Sequence, residues 1–379
     1  MSSTPFTSER HITYDPIYNT VDRDDFDALI EVDRYADRTD AFNDIIAATV
    51  DHFWDPTDVR YVDFDSNPMN LDEEMIMPRD FCIELQTAVA DKLDERQQIR
   101  LANQNTRFVL SSILHGEQGA LSLSASLTQI LRDPGAMEYA ANQTREEARH
   151  VTGFSNYIGT RWGTPLKAGS TIQGLMNEIV KTGAVYKKLV GMQMLIEGLA
   201  MGAFATIQRE TNDPLLRRLI HFTMSDEAFH HKFGKIWADR TIPKLNEEEH
   251  EHVEIWAADA FQVLLFNLVN AEQKQEIYRE FGLDWQWVRG AILENFSDED
   301  RRSQMTQNTN IFRVLIKTLL KAGIITERTR HVYQAWVDMD ELNAEDDEVA
   351  GADVAAAAME ELKGINAGRQ KMGARFRTN

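Results

Sequence analysis

Displaced by 80 residues, the sequence meets itself at its most unusual positions, and this internal repeat restricts the fold more than any compositional property. Glu117 falls on Glu197, Glu147 on Glu227 and His150 on His230. The neighbours correspond too: Glu146-Glu147-Ala148-Arg149-His150 lies over Asp226-Glu227-Ala228-Phe229-His230. So do the connections, where Asp133-Pro134 lies over Asp213-Pro214, each reading as an N-cap carboxylate followed by proline at the first helical position. Two helix hairpins of one design are implied.

Helix geometry turns the repeat into a candidate site. Glu117 precedes the turn at Asp133 by 16 residues and Glu147 follows it by 14; Glu197, Asp213 and Glu227 repeat the 16 and the 14. At about 1.5 Å per residue the paired acids return to nearly one height on antiparallel helices. In each Glu-x-x-His the two side chains share a helix face. One inward layer can therefore hold four carboxylates and two imidazoles. Four buried carboxylates repel one another and lose their hydration, whereas two divalent ions about 3.5–4 Å apart neutralise them. Oxygen and nitrogen donors without thiolate suit iron or manganese.

The rest of the chain agrees with a helical protein. From Pro78 onward, apolar residues recur with helical period and no alternating strand pattern is seen. Helices are expected at 79–101, 104–131, 134–161, 171–211, 214–240 and 247–280, the fourth interrupted near Thr182-Gly183, and further ones at 284–296, 299–322 and 326–341. A net charge of −21 repels a phosphate backbone, so nucleic acid is not an expected partner. The apolar stretch Val190 to Phe204 is short for a bilayer span and contains Gln193 and Glu197, so it reads as a buried helix rather than a membrane segment. The start of the chain has no apolar signal, which points to the cytoplasm. Cys82 is the single cysteine and reads as a small buried apolar residue.

At these residues the chain resembles the ferritin-like di-iron carboxylate superfamily, over about residues 104–240. The spacing of Glu117 and Glu147-Ala148-Arg149-His150 looks most like the hydroxylase subunits of bacterial multicomponent monooxygenases and is similar to the small subunit of ribonucleotide reductase. The resemblance implies an all-α fold: a ferritin-like four-helix bundle core of two pseudo-two-fold-related hairpins, with additional N- and C-terminal helices. Residues 1–75 would form an N-terminal extension without chemistry of its own, 76–341 the di-metal domain, and 342–379 a mobile tail with a basic end at Arg369, Lys371, Arg375 and Arg377. It also implies that Glu117, Glu147 and His150 bind one metal and Glu197, Glu227 and His230 the other. Glu147 and Glu227 would be the bridges. Glu146 and Asp226 would accept the free ring N–H of the ligating histidine in the opposite half.

The departures from those families bear on the reaction. Phe154 stands where reductase small subunits typically carry a radical-forming tyrosine, Met201 where the multicomponent hydroxylases place a threonine, and Thr223 where di-iron arylamine N-oxygenases add a histidine. A stored tyrosyl radical at position 154 is excluded. Phe154, Met201 and Thr223 are candidates to line a substrate pocket. The expected function is a di-iron oxidoreductase that activates dioxygen to hydroxylate or N-oxygenate a small organic substrate. Electrons would come from an external ferredoxin or flavin reductase, since no Gly-rich dinucleotide fingerprint or cysteine cluster is present. A reductase-like oxidase with a mixed Mn/Fe centre and a non-enzymatic iron-binding protein are the alternatives, and a homodimer is the expected assembly.

Overall fold

Asp94 opens the first long helix by a reciprocal cap: its side chain accepts from the backbone N–H of Gln97, whose side-chain oxygen accepts from the N–H of Asp94. In the computed structural model this helix, α2, then runs unbroken over Glu95–Leu127. The structure describes residues 12–376 apart from 268–269, 296, 307–309 and 347–349. Asp133 and Asp213 cap α3 (Pro134–Trp162) and α6 (Pro214–Thr241), each followed by proline at the first helical position. Helices α2 and α3 form one hairpin; α5 (Val185–Glu210) and α6 form the other. Among the described residues there is no strand, only isolated bridges Asp15–Thr20 and Thr20–Leu131. The described residues form an all-α molecule whose core is these four long helices in two hairpins.

The remaining elements wrap this core. Helix α1 (Asn43–Asp51) lies against α3 and α6. Helix α4 (Ser170–Lys181) packs on α2, α7 (Glu247–Asn267) beside α4, and α8 (Ile311–Lys321) along α5. The chain breaks between Lys181 and Val185, at the expected Thr182-Gly183. Helix α5 is long and apolar enough by composition to cross a membrane, but most of it is buried inside the protein.

Four expectations about elements need correction. Residues 79–93 form separate 3₁₀ turns instead of a helix. There the Thr87 hydroxyl donates to the Glu84 carbonyl and accepts from the Val89 N–H, offering the backbone an alternative to helical pairing. Conversely, nothing interrupts 101–104, so α2 is continuous where two helices were expected. The expected spans 247–280, 299–322 and 326–341 each divide into shorter pieces. The supposed mobile tail contains α9 (Ala352–Phe376), with Ala355, Ala358 and Leu362 fully buried and the helix seated on α6 and α1. Its alanines supply strong helix propensity and a flat stripe that permits close packing. The side chains of Arg369, Lys371 and Arg375, and all of Arg377, lie outside the described residues.

A candidate two-metal centre

Each of the four core helices turns an acid into one layer. Glu117 comes from α2, Glu147 and His150 from α3, Glu197 from α5, and Glu227 and His230 from α6; none is more than 6% exposed. Glu197 sits directly after a π-helical turn, Gly191–Ile196, a local insertion that sequence periodicity does not announce. All six predicted residues are brought together.

The distances divide them into two halves with shared members. His150 Nδ1 lies 3.1 Å from Glu117 Oε2 and from Glu227 Oε1, and 3.5 Å from Glu147 Oε2. His230 Nδ1 lies 3.2 Å from Glu147 Oε1 and from Glu227 Oε2, and 3.8 Å from Glu197 Oε2. Glu147 and Glu227 thus direct one oxygen to each imidazole, whereas Glu117 and Glu197 each serve one half. Within the sets Glu117/Glu147/His150/Glu227 and Glu147/Glu197/His230, one donor atom per residue falls within 4.8 Å of all the others. The layer can hold two metal ions.

Electrostatics supports the same fit. Burial drives the Glu117 carboxyl well above its ordinary range despite the nearby His150; burial and repulsion from Glu227 do the same to Glu197. Burial also raises Glu227, but His230 and His150 outweigh it and hold that carboxyl low. Burial disfavours charge on both imidazoles, yet Glu117 beside His150 and Glu147 beside His230 raise them well above the usual value. Glu147 Oε2 is buried without a hydrogen-bond partner. Carboxylates in such surroundings lack enough positive charge of their own, and a pair of cations fits the deficit.

The outer edge of the site fixes the imidazoles. His150 Nε2 faces Asp226 Oδ2 at 2.8 Å, and His230 Nε2 faces Glu146 Oε2 at 2.9 Å, so each histidine is held by an acid from the opposite hairpin. An ionised carboxylate only accepts, so each Nε2 carries a proton, and Nδ1 is the nitrogen turned to the layer, where a cation would take the place of its proton. Arg149 donates from Nε to Asp226 at 3.0 Å. Burial opposes charge on Asp226, but Arg149 and then His150 keep it ionised.

The N-terminal extension contributes to the site, contrary to expectation. Trp54 donates from Nε1 to Asp226 Oδ2 at 2.8 Å and stacks on His150, and His52 Nε2 lies 3.1 Å from Glu146 Oε1. No local signal marks either residue, because their partners lie 172 and 94 residues away in sequence. Gln143 was also missed: its Nε2 donates to Glu197 Oε1 at 2.9 Å and to Glu147 Oε1 at 3.2 Å. Its position one turn before Glu147 on the inward face of a helix was the available signal.

The candidate pocket residues are placed in the core. Phe154 is fully buried and stacks on Phe204, Met201 is buried in the same apolar cluster, and the Thr223 hydroxyl donates to the Leu219 carbonyl. Cys82 is buried, as its flanking sequence suggested, and burial pushes its thiol up to about 12. A separate cleft of about 650 Å³ has Met194, three residues before Glu197, among its lining residues.

No protein-family model matches the sequence, and no curated protein does. Solved structures are similar at the level of chain path. An R2-like ligand-binding oxidase variant with aerobically reconstituted Mn/Fe cofactor is 16% identical, spanning 76% of this chain and 94% of that one at a TM-score of 0.47. A second variant of such an oxidase, with anaerobically reconstituted Mn/Fe cofactor, gives 14% identity, the same coverage and a TM-score of 0.47. A third, with aerobically reconstituted metal cofactor after photoconversion, is 15% identical over 69% of this chain and 92% of that chain, at 0.43.

Proposed function

We propose that this chain is a di-iron oxidoreductase that uses dioxygen to oxidise a small organic substrate, with electrons from a separate ferredoxin or flavin reductase. The observation that carries this reading is the pair of carboxylates, Glu147 and Glu227, each offering one oxygen to each imidazole. Two iron ions held there would supply the redox change and the open coordination positions that dioxygen reduction requires. Glu117 and Glu197 complete the two halves, and His150 and His230 are locked in the ligating tautomer by Asp226 and Glu146. Fully buried Trp54 stacks on His150, and Phe154, Met201 and Phe222 belong to the same apolar cluster, which would keep water from that side of the layer. The cleft of about 650 Å³ that Met194 helps to line is of a size suited to a small organic molecule. A mixed Mn/Fe centre is the second reading, favoured by one observation: Gln143 donates to Glu197, while no amide or hydroxyl among the described residues donates to Glu117.

Protein loaded anaerobically with iron(II) and then mixed with dioxygen tests the proposal. The expected outcome is rapid dioxygen uptake with a transient visible absorbance and no lasting tyrosyl radical by electron paramagnetic resonance, since position 154 has no phenol. Iron-loaded protein inert to dioxygen, or a stable tyrosyl radical, would overturn it.

A further inference from the structure

The 80-residue repeat that aligns the ligands also aligns what lies behind them, and there the two halves differ. Gln143 corresponds to Thr223, Gln193 to Ile113 and Gly234 to Phe154. Behind the Glu197–His230 half stands a buried amide pair; behind the Glu117–His150 half stand an isoleucine, a phenylalanine and a threonine whose hydroxyl is spent on the Leu219 carbonyl.

The amide pair has only one consistent arrangement. Gln143 faces two carboxylates, which can only accept while ionised, so its NH₂ group must point at them. Its Oε1 then accepts from Gln193 Nε2 at 3.1 Å. Both glutamines are fully buried, and Gln193 Oε1 is left without a donor. The pair is further held by close packing: a Cβ on Gly234 would come within 2.7 Å of Gln193 Cβ and 3.0 Å of its carbonyl oxygen, so any side chain at 234 would displace Gln193. Glu197 is therefore pinned, Oε1 engaged by Gln143 and Oε2 turned to the His230 side. Among the described residues the side chain of Glu117 has one hydrogen-bond partner, His150, and no amide holds it.

Resting on the two-metal reading above, we propose that the two metal positions are unequal: Gln143, oriented by Gln193, preorganises the Glu197–His230 half as the tightly held position and leaves the Glu117–His150 half as the exchangeable one. Gln143 is a positioning residue. It acts by holding a ligand oxygen in place before the ion arrives, which removes part of the ordering cost of binding.

Titrating metal-free protein with Mn(II), and following the free ion by electron paramagnetic resonance, measures the two affinities without reference to any activity. Wild-type protein should bind two ions in separable steps. Gln143→Leu should weaken the tighter step by roughly tenfold to a hundredfold and change the looser step by less than about threefold. Gln193→Met, which leaves the Gln143 amide in place but unpaired, should weaken the tighter step by a smaller factor, and it serves as the test if Gln143→Leu does not fold. Two equal steps in the wild type, or a tighter step unmoved by both substitutions, would overturn the proposal while leaving the two-metal reading intact. Wild-type protein that binds no Mn(II) would overturn both.

Discussion

Two regions of this molecule bury carboxylates, and they solve the problem in opposite ways. Glu84, on a 3₁₀ turn beside α2, is fully buried and meets the ammonium of Lys274, the hydroxyl of Tyr278 at 2.5 Å and the amide of Asn105 at 3.0 Å. Burial raises its pKa, but Lys274 and the Tyr278 hydroxyl together hold the carboxyl below its ordinary range. In the central layer four carboxylates share two imidazoles, and burial drives Glu117 and Glu197 far upward. One region carries its own cation; the other is built to receive cations from outside. A buried acid by itself says little about function, and the partner that neutralises it decides between a structural link and a binding site.

This comparison can be strained from either side. The largest effect is expected at the self-contained region. Lys274→Met leaves the Glu84 carboxylate buried without a cation and should cost about 3–5 kcal/mol in denaturant unfolding, with the bound metal per chain unchanged. The acid response should change with it. A carboxyl held low in the folded state contributes stability above its unfolded pKa of about 4.3, and that contribution is lost as pH falls through the lower folded value. The wild type should lose this contribution on acidification, and Lys274→Met should lack it. If metal content falls in Lys274→Met, the two regions are not independent.

A smaller effect is expected on the layer from its outermost support. His52 reaches the layer through Glu146, at 3.1 Å, which in turn holds His230, and through Asp226, at 3.5 Å, which holds His150. His52→Ala should therefore weaken metal binding by roughly tenfold, the low end of the range for outer partners of metal ligands, and leave the Glu84 region's acid response unaltered. Unchanged affinity would mean that Arg149, 3.6 Å from Glu146, holds that acid sufficiently alone.

How much of this was legible in the sequence follows from what each residue answers to. Glu117, Glu147, His150, Glu197, Glu227 and His230 were legible because metal chemistry restricts residue type and helix geometry restricts spacing, and the duplication displays both restrictions twice. The opposite-half pairing of Glu146 and Asp226 was implied by family resemblance and is what the structure shows. His52 and Trp54 were not legible, because loops from the first 75 residues reach the site through tertiary packing that no local pattern encodes. The π-helical turn before Glu197 was missed for a related reason: an extra residue in one helical turn leaves no signature in apolar periodicity. The tail was misread because an alanine-rich segment suits both a solvated chain and a tightly packed helix. Ala355, Ala358 and Leu362 meet a surface on α6 that the linear sequence does not display.

Two metal ions would complete the layer between the two hairpins, with Glu147 and Glu227 placed to bridge them. Anomalous scattering at the iron absorption edge, from crystals of protein produced in iron-rich medium, tests it most directly. The account predicts two peaks about 3.5–4 Å apart between Glu147 and Glu227, and the loss of most of that signal in Glu147→Ala crystals. A layer without iron peaks, or a pair of peaks that persists at full strength in Glu147→Ala, would contradict it.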